Sequence, residues 1–297
     1  MLLLLSTSGD GTAALIAQRF LPNVFRLNYD IWHDYRLLLR PDYWEIEDPS
    51  GRKITSKSVT RSLWWKVFDV DLPQVDPMIS ADIRYAVREI YADTVRRGLR
   101  RGNPPEWHRY FGKIAILEIA SKQFRIPKTS VSWHGAGLDN FSSDEVVAKS
   151  LDSVLTSDGK GLFTTKVNPG QLDTTFPWFL QDFIESDWDV TVLLVGRSLF
   201  AFKRSRLNLV GIDWRLEQSF RTDSEEWLPT VLPKQVEDGL RKISQDLNVE
   251  FGRFDLMLEK KSGEFIFLEF NANGQWGFLD FNGRFGLLDS IVEYISA

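Results

Sequence analysis

FDLMLEKKSGEFIFLEFNAN, residues 254–273, is the stretch whose reading decides the fold. Two apolar-rich runs, Phe254–Glu259 and Glu264–Asn271, flank Lys261-Ser262-Gly263. Three residues ending in glycine fit a short hairpin loop, with the glycine at the position that needs a left-handed backbone. That loop length predicts the cross-strand pairs Lys260–Glu264, Met257–Phe267 and Asp255–Glu269. Side chains alternate faces along a strand, so Asp255, Glu269 and Asn271 are expected on one face. Carboxylates placed opposite one another repel, and burying them without compensation costs several kcal/mol. A cation between them resolves the conflict. The competing reading is an exposed acidic pair on a sheet edge, neutralised by a nearby lysine or arginine. All the candidate ligands are oxygens, which suits Mg²⁺ or Mn²⁺ over zinc. Mg²⁺ commonly completes its shell with water and phosphate oxygens, so the hairpin points to a metal–nucleotide site.

Working outward, residues 234–247 and 286–297 carry helical spacing on either side of the hairpin. Upstream, Phe179–Ile184, Thr191–Gly196 and Leu199–Lys203 read as strands. Val146–Ser150 and Leu162–Val167 are two more, bracketing the polar loop 157–161. Lys149 is the one charge in an apolar strand pattern, which is costly unless its ammonium meets an anion. Phe111–Arg125 reads as a helix, as does 81–101, with Ile83, Ala86, Val87, Ile90 and Thr94 on one side. The other side of 81–101 carries Arg84, Arg88, Arg96, Arg97, Arg100 and Arg101, either a solvated face or a docking surface for an acidic partner. Gly102-Asn103-Pro104-Pro105 then breaks the chain. At the N-terminal end, Leu2–Leu5 and Thr12–Phe20 form a strand–loop–helix start, with further strands expected in 41–61 and at Ser62–Asp69. The Gly-containing loop before that helix lacks GxGxxG or P-loop spacing and reads as structural.

Composition narrows the chemistry. Among 297 residues there is no cysteine, which excludes disulfides and thiol catalysis. The three histidines, His33, His108 and His134, are far apart in sequence, against a histidine-rich metal site. Forty-one acidic against 36 basic residues, a net charge of −5, gives no general attraction to nucleic acid or an anionic membrane. The N-terminal leucine run is short and has no basic segment before it, so it is not expected to be a signal peptide. With no membrane-length apolar run, the expected location is the cytoplasm.

Glu269-Phe270-Asn271, followed by Ala272-Asn273-Gly274-Gln275-Trp276, resembles the metal-binding signature of the ATP-grasp superfamily. FLEFNANGQW is similar to the corresponding stretch of ATP-grasp peptide maturases, the graspetide (microviridin-type) synthetases related to ribosomal-protein glutamate ligases. The resemblance spans roughly residues 105–290. It implies an α/β (α+β) fold in three parts: an N-terminal pre-grasp lobe over 1–105, a small lid lobe over 106–185 and a C-terminal lobe with the metal site over 186–297. It implies ATP with Mg²⁺ or Mn²⁺, the metal held by Asp255, Glu269 and Asn271. Lys149 and Lys113 match the family's phosphate-contacting lysines, with Ser150 where proline is common. The loop with Gly159 and Gly161 stands where the family covers the phosphates. Gln181-Asp182-Phe183-Ile184 resembles the adenine-binding segment, with Asp182 in place of Glu, and Asp189 the acid near the ribose. Thr191 stands where many relatives carry an arginine that binds phosphate or carboxylate; Lys203, Arg204 and Arg206 are the candidate substitutes. Arg215, in Asp213-Trp214-Arg215, matches the arginine that holds the peptide's carboxylate.

The activity so implied is a carboxylate–amine or carboxylate–hydroxyl ligation through an acyl phosphate, making ester or amide crosslinks in a ribosomally made precursor peptide. Two alternatives stand beside it: a ligase adding amino acids to a peptide terminus or small molecule, and a non-catalytic fold that binds nucleotide or peptide. Related enzymes often form dimers, so a homodimer is allowed for, with no interface legible in the sequence.

Overall fold

A computed structural model describes the chain except for residues 66–75, 105, 142–144, 152–162, 208, 210, 214–226, 273 and 281. The N-terminal elements are β1 (Leu2–Ser6), α1 (Gly11–Phe20), β2 (Val24–Asn28), β3 (Arg36–Arg40), β4 (Tyr43–Glu47), β5 (Lys53–Thr55), β6 (Arg61–Trp64), α2 (Pro77–Arg96) and β7 (Arg100–Arg101). The leucines of β1 are all buried, so both faces must be covered. Parallel pairing gives the order β2–β1–β6–β7. Leu2 and Leu4 pack with α1, and Leu3 and Leu5 pack with α2 and the small antiparallel sheet β3–β4–β5.

The helix expected over 81–101 begins and ends earlier. Asp76 caps it, accepting from Met78 N at 2.8 Å, and Pro77 fills the first turn, where no backbone donor is needed. Gly98, at φ +68°, turns the chain back, and Arg100 and Arg101 join β6 as the edge strand β7. The arginines expected along one helix are therefore divided between a helix and a strand.

The remainder comprises α3 (Lys113–Ala120), β8 (Thr129–Ser132), β9 (Val146–Lys149), β10 (Thr165–Val167), β11 (Trp178–Asp182), β12 (Ser186–Val195), β13 (Ser198–Ser205), β14 (Leu228–Pro229), α4 (Lys234–Asp246), β15 (Phe251–Glu259), β16 (Phe265–Asn271) and α5 (Leu287–Ser296). Helix α3 is shorter than the expected 111–125; its continuation unwinds through turns, and Arg125 O accepts from Phe267 N at 3.0 Å. Two antiparallel sheets result, β10–β9–β11–β8 and β14–β13–β12–β15–β16.

One face of the five-stranded sheet is apolar. Val190, Val192, Leu194, Phe254, Leu256, Phe267 and Phe270 pack against α3 and α4. On the other face, Leu193, Val195, Phe202 and Phe251 pack against α1 and α5. Buried Asn103 ties the N-terminal part to the hairpin: its Oδ1 accepts from Glu250 N at 2.9 Å, and its Nδ2 donates to Ala272 O at 2.7 Å and to Phe251 O.

The hairpin departs from expectation twice. Glu259 N donates to Glu264 O at 2.9 Å, so the turn is Lys260–Gly263, one residue longer than anticipated, with Gly263 at φ +70°. Met257 consequently faces Ile266, not Phe267. A bulge at Leu268 then restores the register, and Asp255 faces Glu269.

Candidate functional site

Pairing across β12, β15 and β16 decides which side chains meet. Asp255 lies opposite Thr191 on one neighbour and Glu269 on the other, while Arg253 lies opposite Asn271. All are on the face left open beyond the apolar residues of that side. Asp255 Oδ1 accepts from Thr191 Oγ1 at 2.7 Å and Arg253 Nε at 3.0 Å. Its Oδ2 accepts from Arg253 Nη2 at 3.0 Å and Asn271 Nδ2 at 3.1 Å. The same Asn271 nitrogen reaches Glu269 Oε1 at 3.2 Å, so one amide spans both carboxylates.

Two glycines permit this crowding. A Cβ on Gly252 would stand 2.2 Å from the Phe270 ring and 2.8 Å from Asn271 O. One on Gly274 would stand 3.0 Å from Arg253 Cβ, where the chain after β16 crosses the site and Gln275 O accepts from Arg253 Nη1 at 2.9 Å.

The two acids sit in different fields. Burial, with the Glu269 charge adding to it, pushes the Asp255 carboxyl above the ordinary aspartate range against the pull of Arg253. Burial also works to raise Glu269, but the charges of Lys149 and Lys113, with help from Asn271 and Arg253, outweigh it and hold that carboxyl low. Across the cleft, Lys149 ends β9. Its ammonium has no hydrogen bond, and no carboxylate within 4 Å, among the described residues. Burial lowers its proton affinity, only partly offset by Glu269, Asp255 and Asp213. Lys113 stands beside it at the start of α3, donating to Ser150 O at 2.7 Å.

Thr191, Arg253, Asp255, Glu269 and Lys149 line one cleft of about 880 Å³, open solvent included, between the β10–β9–β11–β8 sheet and the five-stranded sheet. Its opposite end is less polar, formed by Val147, Phe183, Ile184 and Met257. Gln181 is buried, with Nε2 donating to Thr129 Oγ1 at 3.0 Å, and Asp182 lines the cleft beside it. Buried Asp189 accepts from Arg206 Nη1 at 2.7 Å, and Arg206 also donates to Ile212 O at 2.9 Å. Burial raises the Asp189 carboxyl in spite of that partner, and its Oδ2 is buried without a hydrogen bond among the described residues.

Lys203 pairs with Val190, so it lies on the α4 side of the sheet, away from Asp189 and Thr191; its ammonium sits 4.5 Å from the centre of the Trp188 ring. Arg204 is on the cleft side, opposite Asp189. Gly159, Gly161 and Arg215 lie outside the described residues. Sequence reading missed Arg253, although alternation from Asp255 puts it on the same face. It also missed Trp227 and Phe278, which line the cleft from distant loops and carry no local signal.

The donor set fits a hard divalent cation. Among the described residues no cluster of three His, Cys, Asp or Glu side chains exists. The protein thus offers two carboxylates and an amide, and a cation held there must draw further oxygens from water or a phosphate, the habit of Mg²⁺. Asn271 can serve once its amide presents oxygen instead of nitrogen, a half-turn that preserves its shape.

Compared by sequence, the chain matches no protein-family model and no curated protein. Compared by structure, it is similar over its whole length to the macrocyclase MdnC of Microcystis aeruginosa bound with precursor peptide MdnA. The identity is 18%, the TM-score 0.81, and the match covers 100% of this chain and 99% of that one. A RiPP-associated ATP-grasp ligase of Chryseobacterium gregarium, in complex with ADP and a leader and core peptide, gives 21% identity and a TM-score of 0.76, covering 99% and 96%. The ATP-grasp ligase PsnB with minimal precursor, Mg and ADP gives 13% and 0.67, covering 100% and 98%. The chain therefore has the α/β fold of the ATP-grasp peptide ligases. No helix among the described residues is long and apolar enough to cross a membrane.

Proposed function

We propose that this chain is an ATP-dependent ligase that activates a carboxylate as an acyl phosphate and joins it to a hydroxyl or amine within a ribosomally made precursor peptide. The observation that carries the reading is the opposed pair Asp255–Glu269, bridged by Asn271, in one cleft with Lys149, whose ammonium has no hydrogen bond among the described residues. A fold shared along its full length with peptide ligases solved with ADP supports it.

Strand β15 sets the length scale. From Met257 to Arg253 it spans about 13 Å at ~3.3 Å per residue, enough to run from a base to the end of a triphosphate. The base would lie against Ile184 and Met257, flanked by Gln181, Asp182 and Phe183, with the ribose toward Asp189. Lys149 and Lys113 would neutralise phosphate oxygens, which is where phosphoryl transfer gains most, since positioning and charge dominate it. A divalent cation held by Asp255, Glu269 and Asn271 would supply the remaining neutralisation of the triphosphate. Arg215 would orient the substrate carboxylate through a two-pronged guanidinium contact, and the loop carrying Gly159 and Gly161 would exclude water from the acyl phosphate. Lobes divided at 105 and 185 would let that loop close over the cleft, and the protein would work in the cytoplasm.

The test is incubation with ATP, Mg²⁺ and the product of an adjacent short gene. The reading expects peptide-dependent ADP release and loss of the mass of one water per bond formed. Peptide that is unchanged in mass, with no ADP released, would overturn it.

A further inference from the structure

Asp255 and Glu269 differ in how much room they leave for a ligand. A carboxylate has about four lone-pair positions, and the donors on Asp255 account for all of them: Thr191 at 2.7 Å, Arg253 Nε at 3.0 Å, Arg253 Nη2 at 3.0 Å and Asn271 at 3.1 Å. Glu269 accepts one hydrogen bond among the described residues, from Asn271 at 3.2 Å. Asn271 can turn and become an acceptor, and the Thr191 hydroxyl can rotate away. A guanidinium can do neither, because it carries only donors and does not lose its proton. Arg253 is also held from behind, by Gln275 O at 2.9 Å and by the Phe278 ring, whose centre is 5.4 Å from Cζ.

We propose that Arg253 is a positioning residue for metal entry: it is the counter-cation of Asp255 in the metal-free protein, and a divalent cation binds by exchanging it off that carboxylate. Resting on the ligase reading, this adds a control step to it. Two cations cannot share one filled carboxylate at close range without strong repulsion, so metal affinity is set by the contest with Arg253. The pair also explains how the acids stay opposed on adjacent strands before any metal arrives. Once exchanged, the guanidinium remains at the cleft wall, at the terminal-phosphate end. There, a cross-strand pair away from the hydroxyl of Thr191, it provides a charge that Thr191 cannot.

The experiment is Mn²⁺ titration, read by the paramagnetic resonance signal of the free ion, on wild type, Arg253→Gln and Arg253→Lys, each with and without ATP. The exchange predicts that Arg253→Gln binds Mn²⁺ without nucleotide about tenfold or more tightly than wild type, since charge-assisted bonds to Asp255 no longer compete. It predicts an intermediate gain for Arg253→Lys, whose single ammonium cannot span both oxygens. Thermal unfolding gives a second readout: Arg253→Gln melts lower than wild type without metal and recovers with Mn²⁺. In wild type, the Arg253 Nε–H resonance, identified by its loss in Arg253→Lys, shifts when Mn²⁺ is replaced by diamagnetic Mg²⁺ with ADP, which keeps the exchange open to test even if Arg253→Gln does not fold. Uptake of Mn²⁺ with ATP by wild type, but equal or weaker affinity in the Arg253 variants and an unmoved Nε–H resonance, overturns the exchange alone. No uptake by any variant, with or without ATP, overturns the exchange together with the ligase reading.

Discussion

The two faces of the five-stranded sheet are made by the same strands in alternation, yet they obey different rules. On the α4 side Val190, Val192 and Leu194 of β12 and Phe254 and Leu256 of β15 are all apolar, and they pack in one cluster with α3 and α4. On the cleft side the alternate positions change character along the strand, from Leu193 and Val195 to Asp189, Thr191, Arg253 and Asp255. There, among the described residues, the chain keeps an Asp189 carboxylate with one oxygen unbonded, two opposed acids and a lysine ammonium without a hydrogen bond. Such features cost stability. A sheet that can bury phenylalanine on one face keeps charges on the other because something with charge is meant to meet them.

Breaking the apolar face gives the largest expected change in stability. Phe254 is fully buried between Phe267 and Phe270, and Phe254→Ala should cost ~3–5 kcal/mol in urea-induced unfolding. Next, Asp255→Asn on the other face should lower ATP turnover on peptide by roughly 10²–10³-fold. Its melting temperature should move far less than that of Phe254→Ala, so the two substitutions separate scaffold from site.

Lys149→Met sharpens the contrast through pH. Burial lowers the Lys149 proton affinity, so the folded chain releases that proton at lower pH than the unfolded chain, whose lysine titrates near ~10.4. Between those two points the unfolded state binds more protons, and the stability from neutral Lys149 is present above the unfolded value and lost as pH falls through the folded one. Wild-type melting temperature should therefore carry a contribution that rises with pH on the alkaline side. Lys149→Met should lack that contribution, be the more stable protein at neutral pH, and lose ATP affinity. A Lys149→Met curve parallel to wild type would show the ammonium is solvated. The smallest effect is expected at Lys203, whose stacking on Trp188 puts it behind the sheet; Lys203→Ala should leave ATP affinity within about twofold by calorimetry.

Much of the fold was legible because its signals are local. The hairpin showed in its alternation and in Gly263, α4 and α5 in their spacing, and β1 in its leucine run. The opposition of Asp255 and Glu269 came through for a less secure reason. The turn is one residue longer than Lys261-Ser262-Gly263 suggests, and the bulge at Leu268 cancels the slip. One extra leucine in an apolar run carries no mark of being unpaired, so neither departure could be read separately. Helix α2 begins before the residues whose periodicity marks it, because Asp76-Pro77 supplies the start, and ends sooner than that periodicity suggests, because Gly98 takes a left-handed turn that the spacing does not encode. Within the site, Lys149 was legible as a charge with no reason to be in a strand, and Arg253 could have been, at two residues from Asp255. The Asp189–Arg206 pair and the walls from Trp227 and Phe278 depend on loops meeting in space, which no local pattern encodes.

Everything functional rests on the carboxylate pair taking a divalent ion together with a nucleotide. Calorimetric titration of ATP into the wild-type chain, with Mg²⁺ and with a chelator in its place, tests this most directly, with Glu269→Gln alongside. One ATP should bind per chain with Mg²⁺, and binding should weaken by roughly 10–100-fold both in chelator and in Glu269→Gln. ATP binding of equal strength in all three would contradict it.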